Sequence, residues 1–499
     1  MSTRGCPSLR LVVLFAASGA CSYAPYTSGS PSDLGVPVSD LALPRADASA
    51  AADLQAAAPQ GALRYALDYD GDQHTAVTVA ADAAGGFAVG GRFHQQIRLG
   101  SATFTAPGTQ SDALITKHAP DGTLQWARVG TGAAQDAVTG LAIDKSGNVI
   151  AAGVSQGSID FGRGPLTGAT PSSRSTFVAK YTPDGALLWA RQFPNTGLGS
   201  NLARDVTVDA EDNVVVTGTF EATVDFGGGP LESAVSLATY VLKLSPAGQH
   251  LLSRQVGPPT GIRGTVRAVR VAPDGDLIFA GSAVGTVDFG GGPIAVDANE
   301  DHAFFARYSP AVTYKLARLF GTQSDSSRGS GLAVDRSGDI LILGDFIGSI
   351  DCGGGPLVGS SRSATFVARY SKAGEHRWSH MLASPSGLVL ASGLALDSAS
   401  NVVIGGKFTE TVDFGVPLPS ARTEADPFLL KLDRSGSPLW ARSYASEGGE
   451  ARVLSVAVAP DDSPIGAGVV DHQLDVGGTI LTGGSEGQSE GAFVIKLSP

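Results

Sequence analysis

Acids and bases recur through this chain at fixed intervals. Aspartate stands at Asp160, Asp225, Asp288, Asp351, Asp413 and Asp475, and a base at Lys117, Lys180, Lys243, Arg307, Arg369, Lys431 and Lys496. A carboxylate beside an ammonium or guanidinium can serve acid–base chemistry. One chain does not carry so many equivalent active sites, so these positions read as structural pairs, with Asp225 or Asp209 the expected partner of Lys243. Gly483-Gly484-Ser485-Glu486-Gly487 has the spacing of a nucleophile elbow, but that motif needs a strand before it and a helix after it. Turn residues follow here instead. His376 and His380 are spaced like a helical zinc pair, yet they lie in the strand-like HRWSH, where four residues span roughly 13 Å, too far for one ion. Asp68-Tyr69-Asp70-Gly71-Asp72 alternates carboxylates as calcium loops do, without the terminal glutamate of the full loop. An acidic turn is the expectation there, with calcium on Asp68, Asp70 and Asp72 left open. Asp297, Glu300, Asp301 and His302 read as a solvated loop. No catalytic, cofactor-binding or metal residue is assigned.

The elements that carry these residues form a repeat. From Arg98 in the first copy through the six aspartates above, the steps are 62, 65, 63, 63, 62 and 62 residues. A typical copy runs from Asp205 to Gly257: an alternating strand DVTVD, a turn, NVVVTGTF, the phrase TVDFGGGPL, then TYVLKLSP and LLSRQVG. Short period-2 strands at a fixed spacing, with no helical pattern between them, indicate one four-stranded sheet per copy, which is a propeller blade. The second strand of every copy has a central glycine, at Gly91, Gly153, Gly218, Gly281, Gly344, Gly406 and Gly468. Such a glycine implies that a neighbouring backbone or ring packs closely there. All four tryptophans, Trp126, Trp189, Trp378 and Trp440, share one slot in the fourth strand, placed to fill the wedge between blades. The last copy stops after its third strand, and the missing strand stands in front, where Leu63-Arg64-Tyr65-Ala66-Leu67 aligns with Leu124-Gln125-Trp126-Ala127-Arg128. The expected fold is all-β: a single seven-bladed β-propeller with four strands per blade, closed by an N-terminal strand that completes the last blade and leaves no open edge.

The residues before the ring read as export machinery. Arg4 and Arg10 precede an apolar run, Leu11 to Ala17, and Ser18-Gly19-Ala20 leads to Cys21. The expected organisation is a signal peptide over 1–20, a flexible tether rich in Ala, Pro, Ser and Asp over 21–60, and the propeller over 61–499. A net charge of −12 argues against nucleic-acid binding. Of three cysteines only Cys352 lies in the ring, in a slot that holds Phe161, Phe226, Phe289 and Phe414 in other copies. It reads as a small buried apolar residue, and no disulfide framework is available.

The units AIDKSGNVIAAGVSQGSIDFG and TFVAKYTPDGALLWARQF resemble bacterial SBBP beta-propeller repeats, and the segment ending at Cys21 resembles a bacterial lipobox, with Ser18 where that family has leucine. The first resemblance implies the fold and no particular chemistry. The second implies lipidation of Cys21 and an outer-membrane lipoprotein, the alternative being a secreted protein. Turns between first and second strands and between third and fourth are short and uniform, whereas the other connections are long and dissimilar, as in Gly257 to Thr265, Gly321 to Ser330 and Asn195 to Ala203. Both long sets leave a propeller on one face, which is the expected recognition surface. The functional expectation is a monomeric, non-catalytic binding or scaffold module with no cofactor. It meets a protein or glycan on the long-loop face and the membrane through its lipid alone. The alternative is a polysaccharide-active enzyme in the axial funnel. The inner strands there offer mostly small residues, Thr78, Ala142, Thr207, Ala333, Ala395 and Ala457, with Arg270 the long exception.

Overall fold

The alternating DVTVD and the apolar VVVTGTF become adjacent antiparallel strands, Asn201–Val208 and Val214–Phe220, followed in the same sheet by Ala238–Leu244 and His250–Val256. The second and third strands are buried almost throughout, which is why they read as near-continuous apolar runs, while the fourth is partly exposed along its length. This is a computed structural model in which the chain falls into two units, Met1–Ala57 and Ala58–Pro499. It describes residues 59–499 except 72–74, 100, 107–109, 169, 171, 197–198, 234–236, 257–264, 297–298, 322–325, 360–361, 419–423 and 484–489. Each period read from the sequence contributes one such sheet, and the core strands always follow the order first, second, third, fourth. First strands of successive sheets touch one another, and that of the last sheet, Ala451–Val458, also touches that of the first, Thr75–Ala81.

Two local devices explain the repeated residues. In five sheets the acid that opens the first-to-second turn folds the turn around itself: Asp209 Oδ1 accepts the backbone N–H groups of Glu211 and Asn213 at 3.0 and 2.9 Å, and its Oδ2 accepts the Asn213 amide at 2.9 Å. The central glycine of the second strand leaves room for a neighbour. A Cβ on Gly218 would stand 2.0 Å from the Leu202 carbonyl and 2.7 Å from the Tyr240 hydroxyl. The phrase TVDFGGGPL forms a small hairpin, Thr223–Asp225 with Pro230–Glu232, and its first strand pairs with Asn195–Thr196 at the end of the preceding sheet.

The front strand, Leu63–Gly71, pairs antiparallel with Gly491–Leu497 and supplies the last sheet with its fourth strand. Its register sets Tyr65 opposite Lys496, as Trp189 lies opposite Lys180 and Trp126 opposite Lys117. Deleting Gly61 to Asp70 would expose Gly491–Leu497 as an unpaired edge. The truncated protein is expected to self-associate and melt well below the intact chain, as measured by light scattering and thermal unfolding. A monomer with an unchanged melting temperature would show that this strand does not complete the last sheet.

Candidate functional site

The repeated bases lie at the junctions between sheets. Lys180 pairs with Asp144 at 2.8 Å, Lys243 with Asp209 at 2.7 Å, Lys431 with Asp397 at 3.0 Å and Arg307 with Asp276 at 2.6 Å, while Lys117 pairs with Asp82 and Arg369 with Asp335. Of the two acids expected for Lys243, then, Asp209 is the partner. Asp225 has another task, accepting the N–H groups of Gly227 and Gly229 at 2.7 and 3.1 Å to shape its hairpin turn, and Asp160, Asp288, Asp351, Asp413 and Asp475 do likewise. In the fourth sheet Ala272 fills the slot of Asp209, and the acid moves to Asp276, where the third sheet has Asn213. In the last sheet Ala459 fills that slot, and buried Lys496 bonds instead to the carbonyls of Gly85 and Pro120 at 3.2 and 3.1 Å. Burial lowers its ammonium below the ordinary lysine value.

The same bases reach onward to the next sheet. Lys180 donates to the Pro246 carbonyl at 3.4 Å, Arg307 to that of Lys372 at 2.5 Å, Arg369 to that of Arg434 at 3.4 Å, and Lys496 to that of Pro120. Each of these carbonyls belongs to a third-to-fourth turn, and the fourth-strand slot grips the same turn from outside. The indole N–H groups of Trp126, Trp189 and Trp378 donate to Pro183, Pro246 and Arg434 at 2.8, 2.9 and 3.0 Å, and Tyr65 donates its hydroxyl to Pro120 at 3.0 Å. Arg128, Arg191 and Arg318 bond the carbonyls of Gly185, Gly248 and Gly374. The ring lies flat on the turn glycine: a Cβ on Gly248 would come within 2.7 Å of Trp189. Trp440 meets the matching turn in two pieces. Gly61 and Ala62 bond Ser498 across the chain ends, Gly61 lies under the Trp440 ring, and Arg442 holds the carbonyls of Gln60 and Gly61.

The remaining sequence candidates do not converge. His376 bonds Ser379 at 3.1 Å while His380 lies beside Trp378 and the Gly436 turn, and burial lowers the His380 pKa. Asp301 pairs with Arg328 at 2.7 Å, and His302 is buried at the start of a strand beside Gly321. Asp68 holds the backbone and hydroxyl of Thr482, both at 3.1 Å. Cys352 is buried in the aromatic core, which pushes its thiol up to about 12, away from nucleophilic use. Cys21, Ser485, Asp72, Asp297 and the side chain of Asp70 lie outside the described residues, as do parts of the long connections.

Sequence reasoning missed two features. Cavities of about 480 and 470 Å³ open among the first-to-second turns, lined by Asp82, Asp144, Asp209, Asp335 and Asp397 with Lys145 and Arg336, on the short-turn side and not the long-loop side. All five acids already hold bases of their own sheets. The second feature is on the first strands. One slot carries Thr139, Ser330, Ser392 and Leu454 in four sheets but exposed Arg204 and Arg267 in the neighbouring third and fourth. The protein crowded around the guanidinium and, after it, the Arg267 charge lower the Arg204 pKa although the side chain reaches solvent. Nearby, Arg270 pairs with Asp205 at 2.6 Å. The alternation around Arg204 and Arg267 was readable, but the strand bulge that sets both on one side of the wall was not.

No family model matches the chain. Part of it is 33% identical over 134 residues to an uncharacterized WD repeat-containing protein of Acanthamoeba polyphaga mimivirus, a match that covers 26% of this chain and 9% of that protein's length. Among solved structures it is similar to YCF48 bound to D1 peptide, at 12% identity and a TM-score of 0.41 over 88% of this chain and 98% of that one. It is also similar to a PL25 ulvan lyase bound to a sugar, at 11% identity and a TM-score of 0.42 over 81% and 93%. The repeated four-stranded sheets, packed first strand to first strand, make the chain a β-propeller repeat protein.

Burial works to raise the Asp209 carboxyl, but its bonds with Lys243 and Asn213 outweigh burial and hold it below the usual carboxylate range. The contribution of this pair is therefore present above the ordinary value of 3.8 and lost as pH falls through the lower folded value. Truncating Lys243 to Met strands a buried carboxylate and is expected to cost about 3 kcal/mol. A double-mutant cycle with Asp209→Asn, followed by denaturant unfolding, is expected to recover a coupling above about 1 kcal/mol. Zero coupling would leave the bases as ordinary solvated side chains.

Proposed function

We propose that residues 61–499 form one closed ring of seven four-stranded blades that works as a non-catalytic binding or scaffold module, carried to the cell surface or outer membrane by a lipid on Cys21. The reading of the repeats as SBBP-type belongs to the same proposal. What supports a structural role for the repeated charges is their use: acids and bases that might have served catalysis are paired within sheets or spent on turns. The observation that carries the binding reading is the side-by-side placement of Arg204 and Arg267 on the inner wall, exposed, where other copies have small or neutral residues. Like charges in neighbouring strands repel unless an anion lies between them, so the wall suits a partner that presents carboxylates or sulfates.

An array of acidic and neutral glycans and peptides probed with the mature protein tests this. Acidic members are expected to bind, and Arg204→Ala with Arg267→Ala to weaken them at least tenfold with an unchanged melting temperature. Equal binding by the double variant would remove the arginines from the site, and cleavage of a bound glycan would convert the module to an enzyme. Mass spectrometry of the mature N-terminus, with a Cys21→Ser control, is expected to find a lipidated Cys21. An unmodified protein wholly in the medium would make it a secreted propeller.

A further inference from the structure

Where the first sheet meets the second, two buried carboxyls converge on one glycine. Asp112 lies in the strand Ser111–His118 and Asp136 just before Ala137–Ile143, and they are 1% and 0% exposed. Asp112 Oδ1 accepts the Gly132 N–H at 3.3 Å, and Asp136 Oδ1 accepts the Gln156 N–H at 3.1 Å. A Cβ on Gly132 would lie 2.1 Å from Asp136 Oδ2, so that oxygen occupies the side-chain space the glycine leaves empty. The Oδ2 atoms of both residues are buried without a hydrogen-bond partner among the described residues. Two ionised carboxylates so placed would be strongly unfavourable.

The repeat itself indicates what neutralises them. Asp426 holds the Asp112 position in the sixth sheet, each two residues before the residue that faces a central glycine, Phe428 opposite Gly406 and Leu114 opposite Gly91. Ser446 holds the Gly132 position, each six residues after its tryptophan, Trp440 and Trp126. Ser446 donates both its N–H and its hydroxyl to Asp426 Oδ1, each at 2.8 Å. In the first sheet the N–H bond is kept, the hydroxyl is gone, and the Asp136 carboxyl stands in its place. At the next junction Asn201, in the slot of Asp136, donates its amide to Asn195, in the slot of Gly132, at 2.5 Å. Both comparisons put a donor here, and a carboxyl donates only when protonated.

We propose that Asp136 is protonated at neutral pH and shares that proton with Asp112, so that a buried acid–carboxylate bond clasps the second sheet to the first. The strands packed on the pair bring up His94 opposite Ser111, Arg174 opposite Gln156 and Asp160 opposite Thr131; Arg174 is exposed and Asp160 caps its own turn. Burial pushes Asp136 up to about 8 against the Gln156 bond, with the Asp112 charge adding to the rise, and burial pushes Asp112 up to about 6. The folded state thus keeps a proton that the unfolded chain releases above its ordinary 3.8, so the stability this proton contributes is fully present below that value and lost as pH rises through about 8.

Denaturant unfolding of the native protein and Asp136→Asn between pH 5 and 9 tests the clasp. Across pH 5 to 8 the folding constant of the native protein is expected to fall by up to tenfold per pH unit relative to the variant, the slope of one proton. A second variant, Gly132→Ser with Asp136→Ala, rebuilds the sixth-sheet arrangement and is expected to fold without that slope. The native protein should also show an infrared band of a protonated carboxyl at pH 7 that the rebuilt variant lacks. Parallel pH profiles, or no such difference band, would overturn the proposal. Calcium that raises the melting temperature of the native protein but of neither variant would also overturn it, replacing the proton by a cation.

Discussion

A flat ring can lie on a turn only where the turn has no Cβ, and this restriction organises the molecule. The third-to-fourth turns present glycines at positive φ, such as Gly185 at 83° and Gly248 at 78°, to the aromatic slot of the preceding sheet. The indole N–H or phenol hydroxyl, the neighbouring arginine and the buried base then share the carbonyls of the same turn. Burying a tryptophan removes on the order of 200 Å² from water, so each grip combines apolar area with bonds that other side chains cannot supply. Gly61, brought to Trp440 from the opposite end of the chain, has a φ of 68° and meets the ring in the same way.

Buried acids are used in two opposite senses. Asp144, Asp209 and Asp397 each hold a lysine and three donors of their own turn, which keeps them ionised despite burial. Among the described residues Asp112 and Asp136 pair with no base, and burial pushes both upward. The first group favours folding above the acid range; the second favours it below neutral pH. The two act at different places, since the ion pairs recur from sheet to sheet whereas, among the described residues, the carboxyl pair stands at one junction.

Most of the fold was legible because it is periodic. The glycine at the centre of each second strand, the base of each third strand and the aromatic slot of each fourth recur at matching positions, and the strand pairings follow them, including Tyr65 opposite Lys496. What the sequence could not show was direction across junctions. Trp126 read as filling the wedge between blades, but that it donates to Pro183, 57 residues on, depends on how sheets pack. The partner of Lys243 was ambiguous between Asp209 and Asp225 because both lie in its own repeat, and turn geometry decides between them. The arginine wall and the Asp112–Asp136 pair were missed for a different reason: they depart from the repeat, and period-based reading discards departures.

The proposed closure of the ring rests on a turn that Gln60-Gly61-Ala62 and Ser498-Pro499 supply together. Ser498-Pro499 and Gln60-Gly61-Ala62 together match Thr182-Pro183-Asp184-Gly185-Ala186, down to the bonds from Ser498 N–H to the Ala62 carbonyl at 2.7 Å and from Thr182 N–H to that of Ala186 at 2.9 Å. A circular permutant that joins Pro499 directly to Gln60 and opens the chain between Asp184 and Gly185 tests this most directly. The account predicts a monomer with the strand content of the native propeller and a melting temperature within a few degrees of it. A permutant that aggregates or fails to fold, although each cut and joint falls in an equivalent turn, would contradict the ring.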